Sequence, residues 1–226
     1  MKTTLFLLAF TATSYTVFAQ EYFDEKGKAV QCHFCKDYKG STPKEVVYYY
    51  QDGKVQLIMM CKNGKQDGET LAYYMSGPIQ ARFFYVDGKP EGKATYYYDD
   101  TGEESYVFNY VNGKLEGQSY IYNDDGSISQ ITDYVNDKKH GKEISYYNSG
   151  AVREVNIYKN NIQEGESIYY FESGAIRYKV NYFNGKREGL SISYYESGAI
   201  QSKSTFINDQ LQSNSVEYTE AQNIRS

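Results

Sequence analysis

The chain has 226 residues, with 27 Tyr, 11 Phe and no Trp, and carries a formal charge of -5. Acids and bases interleave along it, so no basic patch meets a nucleic-acid backbone, and nucleic acid is excluded as an expected partner. Two His and three Cys leave little material for metal or nucleophilic chemistry.

Residues 1–19 read as a secretory signal: Lys2 is the positive start, Leu5 to Phe10 the apolar stretch, and Val17-Phe18-Ala19 an A-x-A-like cleavage site before Gln20. Thr11, Thr13, Ser14, Tyr15 and Thr16 interrupt the roughly 20 apolar residues that a membrane span needs. No Cys follows the cleavage site, so no lipid anchor is indicated. The expected product is exported, periplasmic or extracellular, without a transmembrane span after cleavage.

Residues 20–43 read as a divergent first repeat rather than a separate domain. Tyr22 to Gly27 is a degenerate Tyr-Phe-x-x-x-Gly, and Cys35-Lys36-Asp37-Tyr38-Lys39 aligns with Cys61-Lys62-Asn63-Gly64-Lys65. Cys32-His33-Phe34-Cys35 with Cys61 raises metal and disulfide readings. A zinc site needs four ligands, and a second Cys or His pair is missing, so no metal is expected. Equivalent residues of successive hairpins stand two strand spacings, about 9.5 Å, apart, whereas disulfide Cα atoms lie within about 7 Å. Regular stacking therefore disfavours Cys35 with Cys61, which are expected to fill a ring column as small apolar residues. An irregular first unit would still allow two of the three to pair.

Residues 44–213 form the array that organises the chain. Tyr-Tyr-x-x-Gly or a close variant ends at Gly53, Gly77, Gly102, Gly126, Gly150, Gly174 and Gly198, at intervals of 24 or 25 residues. Between these recurs Asn-Gly-Lys-x-Glu-Gly, as in Asn112 to Gly117 and Asn184 to Gly189. Fixed-period glycine punctuation marks a repeat array, and alternating runs between the glycines mark β-hairpins rather than helices. Asn-Gly supplies the positive φ of a tight turn, and Glu-Ser-Gly suits a three-residue loop with its glycine left-handed.

With each loop glycine as position zero, Tyr73, Tyr122, Tyr146, Tyr170 and Tyr194 stand at −4, above Leu71, Tyr120, Ile144, Ile168 and Ile192 at −6. Position +2 holds Val55, Ile79, Ile128, Val152, Ile176 and Ile200, and +8 holds Tyr85, Tyr110, Tyr134, Tyr158, Tyr182 and Phe206. Shared parity at +2 and +8 predicts that all these columns line one face. The ten tyrosines at −4 and +8 are the candidate binding residues. Rings stacked between repeats add about 0.5 to 1.5 kcal/mol per pair beyond area burial, yet a single layer leaves such a face partly open.

Residues 214–226 read as a last strand and a polar cap. Val216 and Tyr218 fall on the aliphatic and tyrosine columns, and Gln222 stands where the next glycine would be. The fold class expected is all-β, an elongated single-layer antiparallel sheet of consecutive β-hairpin repeats of about 24 residues.

The Tyr-x-x-Gly and Asn-Gly-Lys-x-Glu-Gly units resemble MORN-type repeats, specifically the bacterial MORN-variant repeats of the antitoxin-like YwqK family, over roughly residues 44 to 213. The resemblance implies an elongated, twisted sheet of hairpins with an aromatic-lined face. It also implies a scaffold, a lipid- or protein-binding array, or a toxin-neutralising partner.

Catalysis finds no support. Lys65 with Asp67, Lys89 with Glu91, Lys114 with Glu116 and Lys186 with Glu188 recur on open turns, where a solvated margin that discourages edge association explains them. Ser149, Ser173 and Ser197 are turn residues outside a nucleophile elbow. No glycine loop opens a helix to cradle phosphate, so no cofactor is expected. The reading is a non-enzymatic exported scaffold that binds a protein or peptide through its aromatic face, antitoxin-like in one form. A cell-envelope structural or glycan-binding protein, with polysaccharide as partner, is the alternative.

Overall fold

A computed structural model of the chain describes residues 22–23, 29–30, 35–212 and 215–220. The expected signal segment 1–19, Cys32 and His33, and the end of the tail lie outside the described residues. Every strand pairs antiparallel in one open sheet, and among the described residues no α-helix occurs.

Each repeat is built the same way. In the sixth, Gly165–Tyr170 pairs with Ile176–Phe183 across the wide loop, and Ile176–Phe183 then meets Lys186–Arg187 and Gly189–Tyr194 across the tight turn. The tight turn fits its residues: Asn63 and Gly64 have φ of 51° and 79°, the doubly positive pair of a type I′ turn. Asn136-Asp137 and Asn160-Asn161 adopt the same conformation without glycine, because Asx side chains tolerate it. In the wide loop the Gly198 amide donates to the Tyr195 carbonyl (2.9 Å) and the Tyr195 amide to Ala199 (2.8 Å), with Gly198 at φ 87°. That is the three-residue loop its sequence predicts.

One structural feature overturns the shared-face expectation. Tyr169 pairs with Tyr178 but Tyr170 pairs with Ile176, leaving Arg177 as an extra residue. This β-bulge recurs beside Tyr49, Tyr73, Tyr97, Tyr122, Tyr146 and Tyr194. A bulge shifts the alternation by one residue, so +2 and +8 fall on opposite faces despite their common parity. Positions −6, −4 and +2 share one face, here the Tyr–Ile face. Positions −7, −5, +4, +6 and +8 share the other, the packed face.

The packed face holds the core. At the front, Leu57, Met59 and Cys61 are buried with Cys35. The next repeats bury Ala81, Ala94 and Tyr110 beside an aromatic cluster. There, Tyr96 meets Phe83 edge-on at 5.3 Å and Phe108 edge-on at 6.2 Å, in the arrangement that ring quadrupoles favour. Further along, most buried positions are polar, among them Thr132, Glu143, Asn156, Ser167 and Ser191, with Val180 and Phe206 as buried apolar residues. Hydrogen bonds offset their desolvation; the Gln163 amide, for example, donates to Asn156 Oδ1 (3.0 Å) and Ser167 Oγ (2.9 Å).

The first unit departs from regular stacking. Cys35 sits in a turn at φ 71°, and its Cα lies 5.3 Å from that of Cys61, with which it forms a disulfide. Regular stacking would hold the pair two strand spacings apart, so the expectation against this pairing is corrected. The reason is local: residues 38–40 run against the 63–64 turn, where the Gly64 amide donates to the Tyr38 carbonyl and the Asn63 amide to Gly40.

Candidate binding faces

The bulge divides the ten candidate tyrosines into two sets. Tyr73, Tyr122, Tyr146, Tyr170 and Tyr194 lie on the Tyr–Ile face, and Tyr85, Tyr110, Tyr134, Tyr158 and Tyr182 on the packed face. A single aromatic face is therefore replaced by two faces of different chemistry.

On the Tyr–Ile face two rows run across the strands. In one, Tyr146 stands opposite Val152, Tyr170 opposite Ile176 and Tyr194 opposite Ile200. In the other, register partners follow one another as Ile144, Val155, Ile168, Lys179, Ile192 and Lys203. All are half-buried. Farther from the wide loops, Leu190 and Phe183 are 49% and 59% exposed, so apolar surface on this side is not confined to the rows.

The packed-face tyrosines are bound up with their neighbours. The Glu143 carboxylate accepts from Gln130 Nε2 (3.1 Å), Thr132 Oγ1 (3.2 Å) and the Lys139 ammonium. Lys139 also lies over the Tyr158 ring at 4.9 Å. Burial and then the Glu143 carboxylate push the Tyr158 phenol up to about 12, and the same two causes raise Tyr134. Two repeats on, Arg187 lies 4.1 Å over the Phe206 ring. A side chain from one repeat thus covers part of the ring of the next; Tyr110 is buried, and Tyr85, Tyr134, Tyr158 and Tyr182 are half-buried.

Two inter-repeat ladders escaped the sequence reading. At −3, Tyr50, Tyr74, Tyr147 and Tyr195, and Tyr98 at the corresponding place in the unit whose loop is one residue longer, each donate their hydroxyl to the carbonyl at the end of the equivalent strand one repeat on (2.6 to 3.0 Å), as Tyr147 does to Tyr170. Burial comes first and nearby Asp99 second in raising the Tyr50 and Tyr74 phenols. At the other margin, Glu91, Glu116, Glu164 and Glu188 accept from the backbone amides of Asn112, Asn136, Asn184 and Asn208, the first residues of the next tight turns. The acids expected to be only solvated margin therefore also tie repeat to repeat. The signal was present in the period: a hydroxyl or carboxylate recurring beside equivalent backbone groups marks an inter-repeat bond.

Among the described residues no group of three or more His, Cys, Asp or Glu is placed to hold a metal ion, and no helix is long and apolar enough to cross a membrane. Residues 139–160, 163–184 and 187–208 match the family model described as a MORN repeat variant. Each matched segment holds one wide-loop hairpin, from just after one tight turn to the first residue of the next. No curated protein matches the chain.

Proposed function

We propose that this repeat scaffold is exported and captures a protein or peptide partner on its Tyr–Ile face. One observation carries the reading: Tyr146, Val152, Tyr170, Ile176, Tyr194 and Ile200 remain half-exposed in a single-layer sheet. Tyrosines with an apolar body and a polar tip are enriched at protein interfaces. Export would restrict the partner to the cell envelope or the medium. A toxin-neutralising role rests on the resemblance to antitoxin-like repeats alone.

The test is affinity capture from native envelope and medium with the wild-type chain and with a Tyr146→Ala/Tyr170→Ala variant. Loss of the same captured protein from the variant, with unchanged far-ultraviolet circular dichroism, is expected. Equal capture by both would sink the reading, and retention on purified surface polysaccharide in place of any protein would favour the glycan-binding alternative.

A further inference from the structure

The rows on the Tyr–Ile face repeat at a length that selects a ligand backbone. Equivalent residues of successive repeats are separated by two strands, about 9.5 Å. Tyr146, Tyr170 and Tyr194 therefore stand at about that interval, with Val152, Ile176 and Ile200 as lower aliphatic ground between the rings. An extended β-strand lying along the row returns a side chain to the same side every two residues, about 6.8 Å, and falls out of step at once. A polyproline II segment has three residues per turn and a rise of about 3.1 Å each, so it returns every third residue at about 9.3 Å. It stays in register over successive repeats.

Chemistry agrees with length. Troughs between aromatic rings are the surfaces that receive the rings of proline-rich segments, and such segments lose little entropy on binding because they are already extended. Beside the troughs stand Lys179 and Lys203, one repeat apart on the neighbouring row. Lys179 is 3.9 Å from the half-exposed Glu166 carboxylate, a loose pair, and Lys203, whose ammonium lies 5.8 Å over the Tyr218 ring, forms no salt bridge among the described residues. In the earlier repeats, Arg82 pairs with Glu69 (3.4 Å) and Lys93 with Glu104 (2.6 Å) across this same face. Cationic surface open to a ligand is thus found at the end of the array, where it matches an acidic residue at every third position.

We infer that the Tyr–Ile face of residues 142–203 binds an acidic, proline-rich polyproline II segment of a partner protein, one turn per repeat. This deepens the reading of that face as a partner-binding surface and rests on it.

The probe is a fluorescently labelled peptide of three Glu-Pro-Pro triplets, titrated with the full chain and followed by anisotropy. Saturable binding is expected, weakened about tenfold by Tyr170→Ala and by exchanging Glu for Lys in the peptide. A Lys179→Glu/Lys203→Glu variant should reverse that preference and favour Lys-Pro-Pro. Tyr170→Ala keeps the backbone carbonyl that accepts from Tyr147, and circular dichroism checks its fold. Failure of the peptide to bind, or equal binding of three Glu-Thr-Val triplets with a strand-forming backbone, would overturn the inference. Tyr170-dependent binding of phosphatidylserine vesicles without peptide binding would overturn it in favour of a lipid surface. If native partner capture still depends on Tyr146 and Tyr170 while the peptide fails, the partner-binding reading survives and the polyproline II assignment does not.

Discussion

At the scale of single residues, tyrosine performs three tasks according to its position in the repeat. At −3 its hydroxyl bridges to the next repeat, at −4 its ring lies on the Tyr–Ile face, and at +8 its ring lies on the packed face. Position 171 of the same column is Phe, which keeps the ring and omits the bridge, so no one copy of the ladder is indispensable; a neutral hydrogen bond contributes about 1 kcal/mol net. Tyr158 gives the packed face a pH signature. Its phenol is raised to about 12, whereas an unfolded tyrosine titrates near 10. Below about pH 10 both states hold the proton; between about 10 and 12 the unfolded chain releases it while the folded one keeps it, so stability falls as pH rises. Urea midpoints between about pH 9 and 12 should therefore decline more steeply for the wild type than for Tyr158→Phe, and parallel declines would contradict the assignment.

At the scale of elements, the β-bulge is the decisive device. Without Arg177, Ile176 and Tyr178 become neighbours in a regular strand and still face opposite sides. Deletion of Arg177 is therefore expected to leave a folded array with a modest loss of stability. The partner strand Gly165–Tyr170 has no spare residue, and deleting Ile168 slips Tyr169 and Tyr170 onto each other's faces. That variant should unfold at clearly lower urea concentration. Similar midpoints for the two deletions would show that the bulge does not set the faces.

For the whole molecule, contacts pass between neighbouring repeats, so perturbations should remain local. The Cys35–Cys61 disulfide closes a separation of 26 residues, for which chain entropy suggests about 3.5 kcal/mol. Its effect should be confined to the first units. In Cys61→Ser, amides of Lys44–Tyr49 are expected to exchange with deuterium markedly faster, while those of Ile176–Phe183 keep wild-type rates. Uniform acceleration along the chain would instead indicate one cooperative unit.

Sequence alone determined the hairpin period, the positions of both turns and the antiparallel order, because these depend on local φ preferences at Asn and Gly and on alternation within a strand. The bulges, the separation of Tyr170 from Tyr182 onto opposite faces and the Cys35–Cys61 pairing were decided only in the assembled sheet. An extra residue at a bulge leaves no mark in parity until its partner strand is known, and the distance between two cysteines depends on how an irregular first unit packs. The hydroxyl and carboxylate ladders belong to the same class, since each joins groups that only stacking brings within reach.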